Sequence, residues 1–250
     1  MMKASHEIRE AMTQVARLRQ TASDDTGLNQ ALKAVKHLQA QRFEGTYQDL
    51  LSHPVYAPSA HFFLEELYSA KDYSQRDAQF VRIADAIERT FPASVLATVL
   101  ALTKLHQQTE ELDMALALAW QQAENLPDAA RYVTAWRAVG QRTARNWQLA
   151  TVLDVGQTLG QLTRKPGLRM LLKMMRRPAE LAGLGALHGF LEAGFDHFSS
   201  MSRQRDAVNT FLSTIRARES GWIDRLFDAH PATCETELTK TLECAPTPTA

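Results

Sequence analysis

Apolar residues recur every three or four positions along nearly the whole chain, and no segment alternates polar and apolar residues as a strand would. Prolines, glycines and polar runs interrupt this pattern, because proline cannot continue a helix and these residues favour turns. The breaks divide the chain into about eight or nine helices of ordinary length. The pattern therefore predicts an all-α, bundle-like globular domain. A helical solenoid is the lesser alternative, because we find no fixed repeat period.

Three stretches set the boundaries that we expect for this domain. Residues 1–230 form one all-α domain, and a first helix over residues 5–20 ends before the polar break TASDDTG, which leaves its attachment open. Residues 93–123 are apolar at both ends and polar at the centre, which predicts two helices or one helix with a bend. Residues 231–250 are rich in Thr, Pro and Glu, and we expect a mobile tail there.

The stretch HFFLEELYSAKDYSQRD, residues 61–77, combines aromatic and ionisable side chains at the junction of two predicted helices. Ser74 begins the second helix in a capping-box pattern with Asp77. Arg76 lies four residues before Phe80 on the apolar side, where a guanidinium without a partner would be costly. We interpret the stretch as an ion-paired helix corner, a structural polar junction formed by Glu65, Glu66, Asp72, Arg76 and Asp77.

Two His-x-x-x-Glu pairs, His61 with Glu65 and His188 with Glu192, have the spacing at which two side chains of one helix can share a metal. If the two pairs faced each other, they would form a carboxylate–imidazole site. The same spacing is common in ordinary surface contacts, and no Glu-x-x-His motif of the di-iron bundles is present. A metal site at these four residues is therefore the alternative, and solvated or ion-paired faces are the expectation.

A basic segment, RKPGLRMLLKMMRR at residues 164–177, contains six cations and no acid. Such an amphipathic helix could meet an acidic protein, an anionic lipid surface or nucleic acid, or it could simply face water. No aromatic residue interleaves with the cations, which argues against nucleic acid. We call its four helical cations the basic face, and these are Arg169, Lys173, Arg176 and Arg177.

The overall charge does not favour any partner, because 28 basic residues balance 28 acidic ones. The longest apolar run, residues 114–120, is too short to cross a bilayer, so we expect a soluble cytoplasmic protein. Both cysteines, Cys234 and Cys244, lie in the expected tail and form no disulfide framework or zinc motif. A homo-oligomer remains compatible with these observations.

A resemblance to a known family covers about residues 25–230 of the chain. It includes RRPAELAGLGALHGFLEAGFDHF at residues 176–198, and the other matching positions are Phe62-Phe63-Leu64, Leu67-Tyr68, Asp72, Arg76-Asp77 and Arg218-Glu219. In these strings the chain resembles a family of uncharacterised bacterial helical proteins, a domain of unknown function with the signature FFLxxLY...D...RD. The resemblance implies a bacterial, cytoplasmic, all-α protein and carries no activity, cofactor or catalytic residue.

Taken together, these patterns favour a non-catalytic binding protein that engages an acidic protein partner through its basic face. No cofactor is expected for that function. The sequence contains no phosphate-binding loop, nucleophile elbow, zinc-protease motif or haem-attachment motif. The alternative is a metal- or haem-dependent enzyme of the helical-bundle type that uses His61, Glu65, His188 and Glu192.

Overall fold

The computed structural model describes residues 3–67, 71, 73–90 and 93–245, and in these residues the chain forms twelve α-helices and no strand. The helices are α1 (Ala4–Asp24), α2 (Thr26–Thr46), α3 (Gln48–Ser52), α4 (Ala57–Leu67), α5 (Ser74–Thr90), α6 (Ala93–Gln122), α7 (Asp128–Val139), α8 (Arg142–Leu162), α9 (Leu168–Leu181), α10 (Gly185–Ser202), α11 (Ala207–Asp228) and α12 (Pro231–Glu243). The all-α prediction is confirmed, with a few more helices than expected.

The two larger hydrophobic clusters of the described residues hold most of the core of one globular helical domain. The first joins α2, α6, α7, α11 and α12 around Trp120, Tyr132 and Trp136. The second joins the end of α2 with α4, α8, α10 and α11 around Phe63 and Phe211. Each fully buried large apolar side chain contributes about 1.5–3 kcal/mol. Because α2 and α11 contribute to both clusters, the clusters hold the helices together as one unit.

Helix α1 is docked on the domain, which resolves the attachment that the sequence left open. Its periodic apolar residues Ile8, Met12 and Val15 are buried against α5 and α6. At the edge of this contact, Arg9 Nη2 donates to Asp85 Oδ2 of α5 at 2.5 Å. The helix is also longer than the predicted range of residues 5–20.

Helix α6 runs as a single helix of 30 residues, so the first alternative for residues 93–123, two helices, is wrong. The polar centre of α6 does not break the helix, because side chains of α1 and α2 satisfy its buried carboxylates. Lys36 donates to Glu110 at 3.0 Å, and Gln39 donates to Asp113 at 3.1 Å. A buried polar stretch of this kind is compatible with a continuous helix when every group finds a partner.

The prediction of a mobile tail from residue 231 is wrong for residues 231–243, because they form helix α12. Pro231 occupies the first turn of the helix, where a missing N–H costs nothing. Cys234 and Leu238 are fully buried against α2 and α7, and Leu242 packs beside them. These three apolar residues recur every four positions, but the surrounding Thr and Glu residues obscured the pattern. Residues 246–250, the remainder of the expected tail, lie outside the described residues.

The contact between α2 and α12 depends on Gly45, because a Cβ at this position would collide with the backbone carbonyl of Thr241. We predict that Gly45→Ala displaces α12 and lowers the free energy of unfolding by about 1–3 kcal/mol, the usual cost of overpacking. Chemical denaturation measures this loss, and limited proteolysis reports the release of α12.

The matched control is Gly189→Ala on α10, where a Cβ would meet no atom within 4 Å. Because alanine is the better helix former, this change is expected to stabilise the protein by up to about 1 kcal/mol. Equal effects of the two alanine substitutions would contradict the described contact between α2 and α12.

The structure also bears on membrane topology. Among the residues that the structure describes, no helix is long and apolar enough to span a bilayer.

Candidate functional site

A cavity of about 280 Å³ lies between α4, α5, α6, α8 and α10 and is partly open to solvent. Its wall is predominantly apolar and includes Phe62, Phe80, Val99, Leu102, Val155 and Phe190. Ligand sites are typically concave and apolar, with a small number of polar groups that orient the ligand. The cavity is therefore the candidate functional site.

The cavity has an apolar end and a polar end, because the lining residues of α6 change character along the helix. The lining runs from Thr98 to Asp113, a span of about 22 Å at the α-helical rise. Val99 and Leu102 come first, and the ionisable residues of α6 come later. The polar end also receives groups from α2, α4 and α5, and its members are Lys36, Gln39, Glu66, Arg76, Asp77, His106, Glu110 and Asp113.

Arg19 of α1 joins three groups of the polar end. Its Nη1 donates to Asp77 Oδ2 at 2.8 Å, and its Nη2 donates to Glu110 Oε1 at 3.3 Å. His106 Nε2 lies 3.0 Å from the same Asp77 oxygen and 3.3 Å from Arg19 Nη2. Asp77 and Glu110 are both buried, so these ion pairs compensate carboxylates that would otherwise be expensive to keep inside the protein.

Lys36 extends this network to Asp113. Its Nζ lies 3.0 Å from Glu110 Oε2 and 3.9 Å from Asp113 Oδ2, while Gln39 donates to the other Asp113 oxygen at 3.1 Å. Charged and polar groups from α1, α2, α5 and α6 thus meet along one side of the cavity.

Arg76 also belongs to this network and lies on the cavity wall beside Glu66 and Asp77. Its Nη1 donates to Glu66 Oε2 at 2.8 Å, and its Nε lies 3.7 Å from Asp77 Oδ1. The guanidinium also stacks between the rings of Tyr73 and Phe190, at 4.1 and 4.7 Å from the ring centroids. The structure therefore brings Glu66, Arg76 and Asp77 together on the wall of a cavity.

The other two residues of the expected polar junction are placed differently. Glu65 is exposed and pairs with Lys71 at 2.9 Å, away from Arg76. Asp72 lies outside the described residues. Ser74 begins α5, as the sequence predicts.

The three buried carboxylates of α5 and α6 respond differently to their surroundings. Burial opposes ionisation of Asp77 and Glu110, but the neighbouring His106, Arg19 and Lys36 outweigh burial, so the pKa of each carboxyl is below its ordinary value. For Asp113 burial dominates, and its pKa is raised in spite of Lys36 and Arg145. Asp113 is therefore the one of these three carboxyls whose surroundings favour the protonated form.

This difference predicts a pH dependence of stability. Because the folded pKa of Asp113 is above its ordinary value of 3.8, the folded state binds more protons than the unfolded state in the window between the two. Stability from this group therefore decreases as pH rises through that window. We predict that the free energy of unfolding of Asp113→Asn increases relative to that of the wild type as the pH rises from the acidic side of this window towards neutrality.

Urea denaturation at a series of pH values measures this trend as the difference in unfolding free energy between variant and wild type. Asp154→Asn, at an exposed position of α8, is the control and should show no such trend. A difference for Asp113→Asn that stays constant across the series would show that folding does not raise the pKa of Asp113.

The two His-Glu pairs do not converge. His61 and Glu65 lie on the exposed side of α4. His188 is buried between α9 and α10, where its Nε2 donates to the carbonyl of Leu172 at 2.8 Å. Glu192 accepts two hydrogen bonds from Arg176, at 3.1 and 2.7 Å. Within the described part of the chain, no group of three or more His, Cys, Asp or Glu residues could hold a metal ion.

Two of the four cations of the basic face pair with carboxylates of the neighbouring helix α10, and the other two lie on the surface. Arg169 donates to Asp196 of α10 at 2.9 Å, and Arg176 binds Glu192 of the same helix. Lys173 and Arg177 are exposed, and among the described residues neither pairs with a carboxylate. Two of the four cations therefore fix α9 on α10.

Sequence reasoning missed five ionisable residues of the polar network, which are Arg19, Lys36, His106, Glu110 and Asp113. A signal for three of them is present in the sequence. His106, Glu110 and Asp113 are spaced by four and three residues, which places them on one face of a helix whose flanks are apolar. Arg19 and Lys36 carry no comparable signal, because their partners are 58 to 91 positions away in the chain.

The fold and the cavity define the class of this protein as an all-helical domain with a cavity between its helices that is apolar at one end and polar at the other. A family model described as Domain of unknown function (DUF8198) matches residues 18–233, and the chain belongs to this family. The match confirms the resemblance to a family of unknown function that the sequence indicates. No curated protein and no solved structure matches the chain.

Proposed function

We propose that the protein binds a small ligand with an apolar body and an uncharged, hydrogen-bonding end in the central cavity. The observation that supports this proposal is the cavity of about 280 Å³, whose apolar wall leads to a network of buried polar groups. Ligand sites are typically concave and mostly apolar, with a few polar groups, and this cavity has all three properties. A bound ligand would therefore explain the space that the helices leave between them.

The cavity volume sets the size of the ligand. An apolar cavity of about 150 Å³ accommodates benzene, so a volume nearly twice as large suits on the order of ten non-hydrogen atoms. The apolar body would lie against Val99, Leu102 and Val155, and its polar atom would reach the region of His106 and Asp113.

The ion pairs of the polar end favour an uncharged ligand group. Arg19, Lys36 and Arg76 each lie within 3.0 Å of a carboxylate oxygen, so an anionic ligand would have to displace an existing partner. A cationic ligand would compete with the same three residues. Burial of an ion without a partner is costly, whereas a hydroxyl or carbonyl needs only hydrogen bonds.

Calorimetric titration with ligands that share one aliphatic tail tests the proposal. We expect 1-decanol to bind with a Kd in the micromolar range, which is roughly −8 kcal/mol, or about −0.7 kcal/mol for each of its eleven heavy atoms. Decanoate and decylammonium should bind at least tenfold more weakly. Absence of binding by all three compounds, each tested up to its solubility limit, would refute the proposal, and tighter binding of decanoate would refute the uncharged end.

A further inference from the structure

Helix α9 presents a row of large apolar side chains to solvent. Five of them are between 49% and 91% exposed, namely Met170, Leu171, Met174, Met175 and Leu181. At 100° per residue they fall within an arc of about 140° on the helix surface, and we call this arc the apolar strip of α9. Contiguous exposed apolar surface of this kind marks an interaction site more often than scattered single residues do.

The apolar strip faces outward because the rotation of α9 is fixed by α10. Leu172 and the buried Ala179 lie on the α10 side of the helix, and the Leu172 carbonyl accepts the hydrogen bond of His188. Arg169 and Arg176 pair with Asp196 and Glu192 of α10. The exposed strip is therefore a defined feature of the folded helix.

Cations border the strip. Lys173 and Arg177 lie beside it on α9, and Lys165 and Arg164 lie three and four residues before the start of the helix. All four are exposed, and within the described residues none of them pairs with a carboxylate. The sequence from 164 to 177 holds no acid, and Glu180, in the last turn, is the single acidic residue of α9. This side of the molecule therefore combines apolar surface with an excess of positive charge.

We propose that α9 is a membrane-surface anchor that inserts its apolar strip into the interface of an anionic lipid bilayer. A helix with one apolar face and flanking Lys and Arg residues lies in the plane of the membrane, with the apolar side chains among the acyl chains. The neighbouring cations then reach the anionic headgroups, and each adds to the attraction. This proposal does not depend on the ligand in the central cavity.

Two other occupants fit the surface less well. A second copy of the chain would bring Lys173 and Arg177 of both copies together across a two-fold axis, and like charges would repel. An acidic protein would need a groove to receive the strip, because α9 packs mainly on α10 and projects as a single-helix ridge. A fluid lipid interface accommodates such a ridge, including its flexible methionines, without a matching shape.

Vesicle co-sedimentation with the full chain tests this proposal. We expect the wild type to sediment with vesicles of equal parts phosphatidylcholine and phosphatidylglycerol, and to bind at least tenfold more weakly to phosphatidylcholine alone. Raising the ionic strength to about 1 M, where the Debye length is ~3 Å, should weaken binding to the anionic vesicles. Met170→Ser with Met174→Ser, and separately Lys173→Gln with Arg177→Gln, should each reduce binding at least tenfold.

The control is Leu118→Ser with Leu126→Ser, which removes two exposed apolar residues elsewhere on the surface and should leave vesicle binding unchanged. Circular dichroism confirms that each variant is folded, and all substituted side chains are exposed, so the fold should tolerate them. Wild-type protein that stays in the supernatant at every lipid concentration would overturn the proposal. So would binding that survives the two methionine substitutions, or binding of an acidic helical peptide by α9 in place of vesicles.

Discussion

Arg42→Met is expected to lower the free energy of unfolding by about 3–5 kcal/mol, because it leaves a buried carboxylate without its cation. Arg42 donates to both oxygens of Glu219, at 3.1 and 2.8 Å, and the hydroxyl of Tyr47 donates to the same carboxylate at 2.9 Å. Both charged residues are buried. For a chain of this length the loss corresponds to a decrease in Tm of roughly 6–20 °C, measured by differential scanning calorimetry.

Arg218→Met provides a matched control one residue away from Glu219. Arg218 binds Asp49 in the same two-pronged manner, at 2.6 and 2.7 Å, but Asp49 is 58% exposed. Exposed ion pairs contribute about 0–1 kcal/mol, so this variant should lose far less stability. If the two arginine variants were equally stable, Arg42 and Glu219 would not form the buried pair that joins α2 to α11.

Val99→Phe combined with Val155→Phe is expected to weaken ligand binding at least tenfold while the protein stays folded. Both valines line the apolar end of the cavity, on α6 and α8, and each substitution places a phenyl ring in the space that the ligand would occupy. Valine and phenylalanine have similar helix propensities, so the helices themselves should be unaffected. We expect the affinity for 1-decanol to fall at least tenfold, about 1.4 kcal/mol, in the calorimetric titration.

The thermal stability of this double variant separates a filled cavity from a damaged core. Filling a void stabilises a protein by about 0.5–2 kcal/mol in favourable cases, whereas overpacking of a dense core costs about 1–3 kcal/mol. Leu118→Phe, on the exposed side of the same α6, is the control and should change neither affinity nor Tm. A double variant that binds 1-decanol as tightly as the wild type would place the ligand outside the cavity.

The helical fold could be predicted from the sequence because apolar periodicity reflects burial directly. Ile8, Met12 and Val15 of α1 illustrate this, since their spacing alone identifies the buried side. Helix α12 was missed because Cys234 and Leu238 are embedded among residues typical of mobile tails. Composition indicated disorder there, whereas the buried side chains have a helical period.

The cavity could not be predicted in the same way, because no local pattern reports an empty space between helices. The sequence drew attention to Glu66, Arg76 and Asp77 as a charged corner, and the structure places these three side chains on the cavity wall. Their partners Arg19 and His106 lie far away in the chain. Only the tertiary fold brings these residues together. In the sequence, the charged stretch at residues 61–77 and the polar centre of α6 therefore look like two unrelated features.

The orientation of the basic face could not be predicted from the sequence either. Helical periodicity separates the cations of α9 from its apolar residues, but it does not say which side faces the protein. In the structure Arg169 and Arg176 point towards carboxylates of α10, while Met170 and Met174 face solvent. Acidic residues on a neighbouring helix, here Glu192 and Asp196, reversed the usual arrangement in which apolar residues face inward.

A crystal structure of the protein with 1-decanol tests the central proposal most directly. The account predicts that the aliphatic chain lies between α6 and α8, against Val99, Leu102 and Val155, with its hydroxyl within hydrogen-bonding distance of a group in the polar end. A decanol molecule bound only at the surface, or a cavity closed by the side chains that line it, would contradict the account.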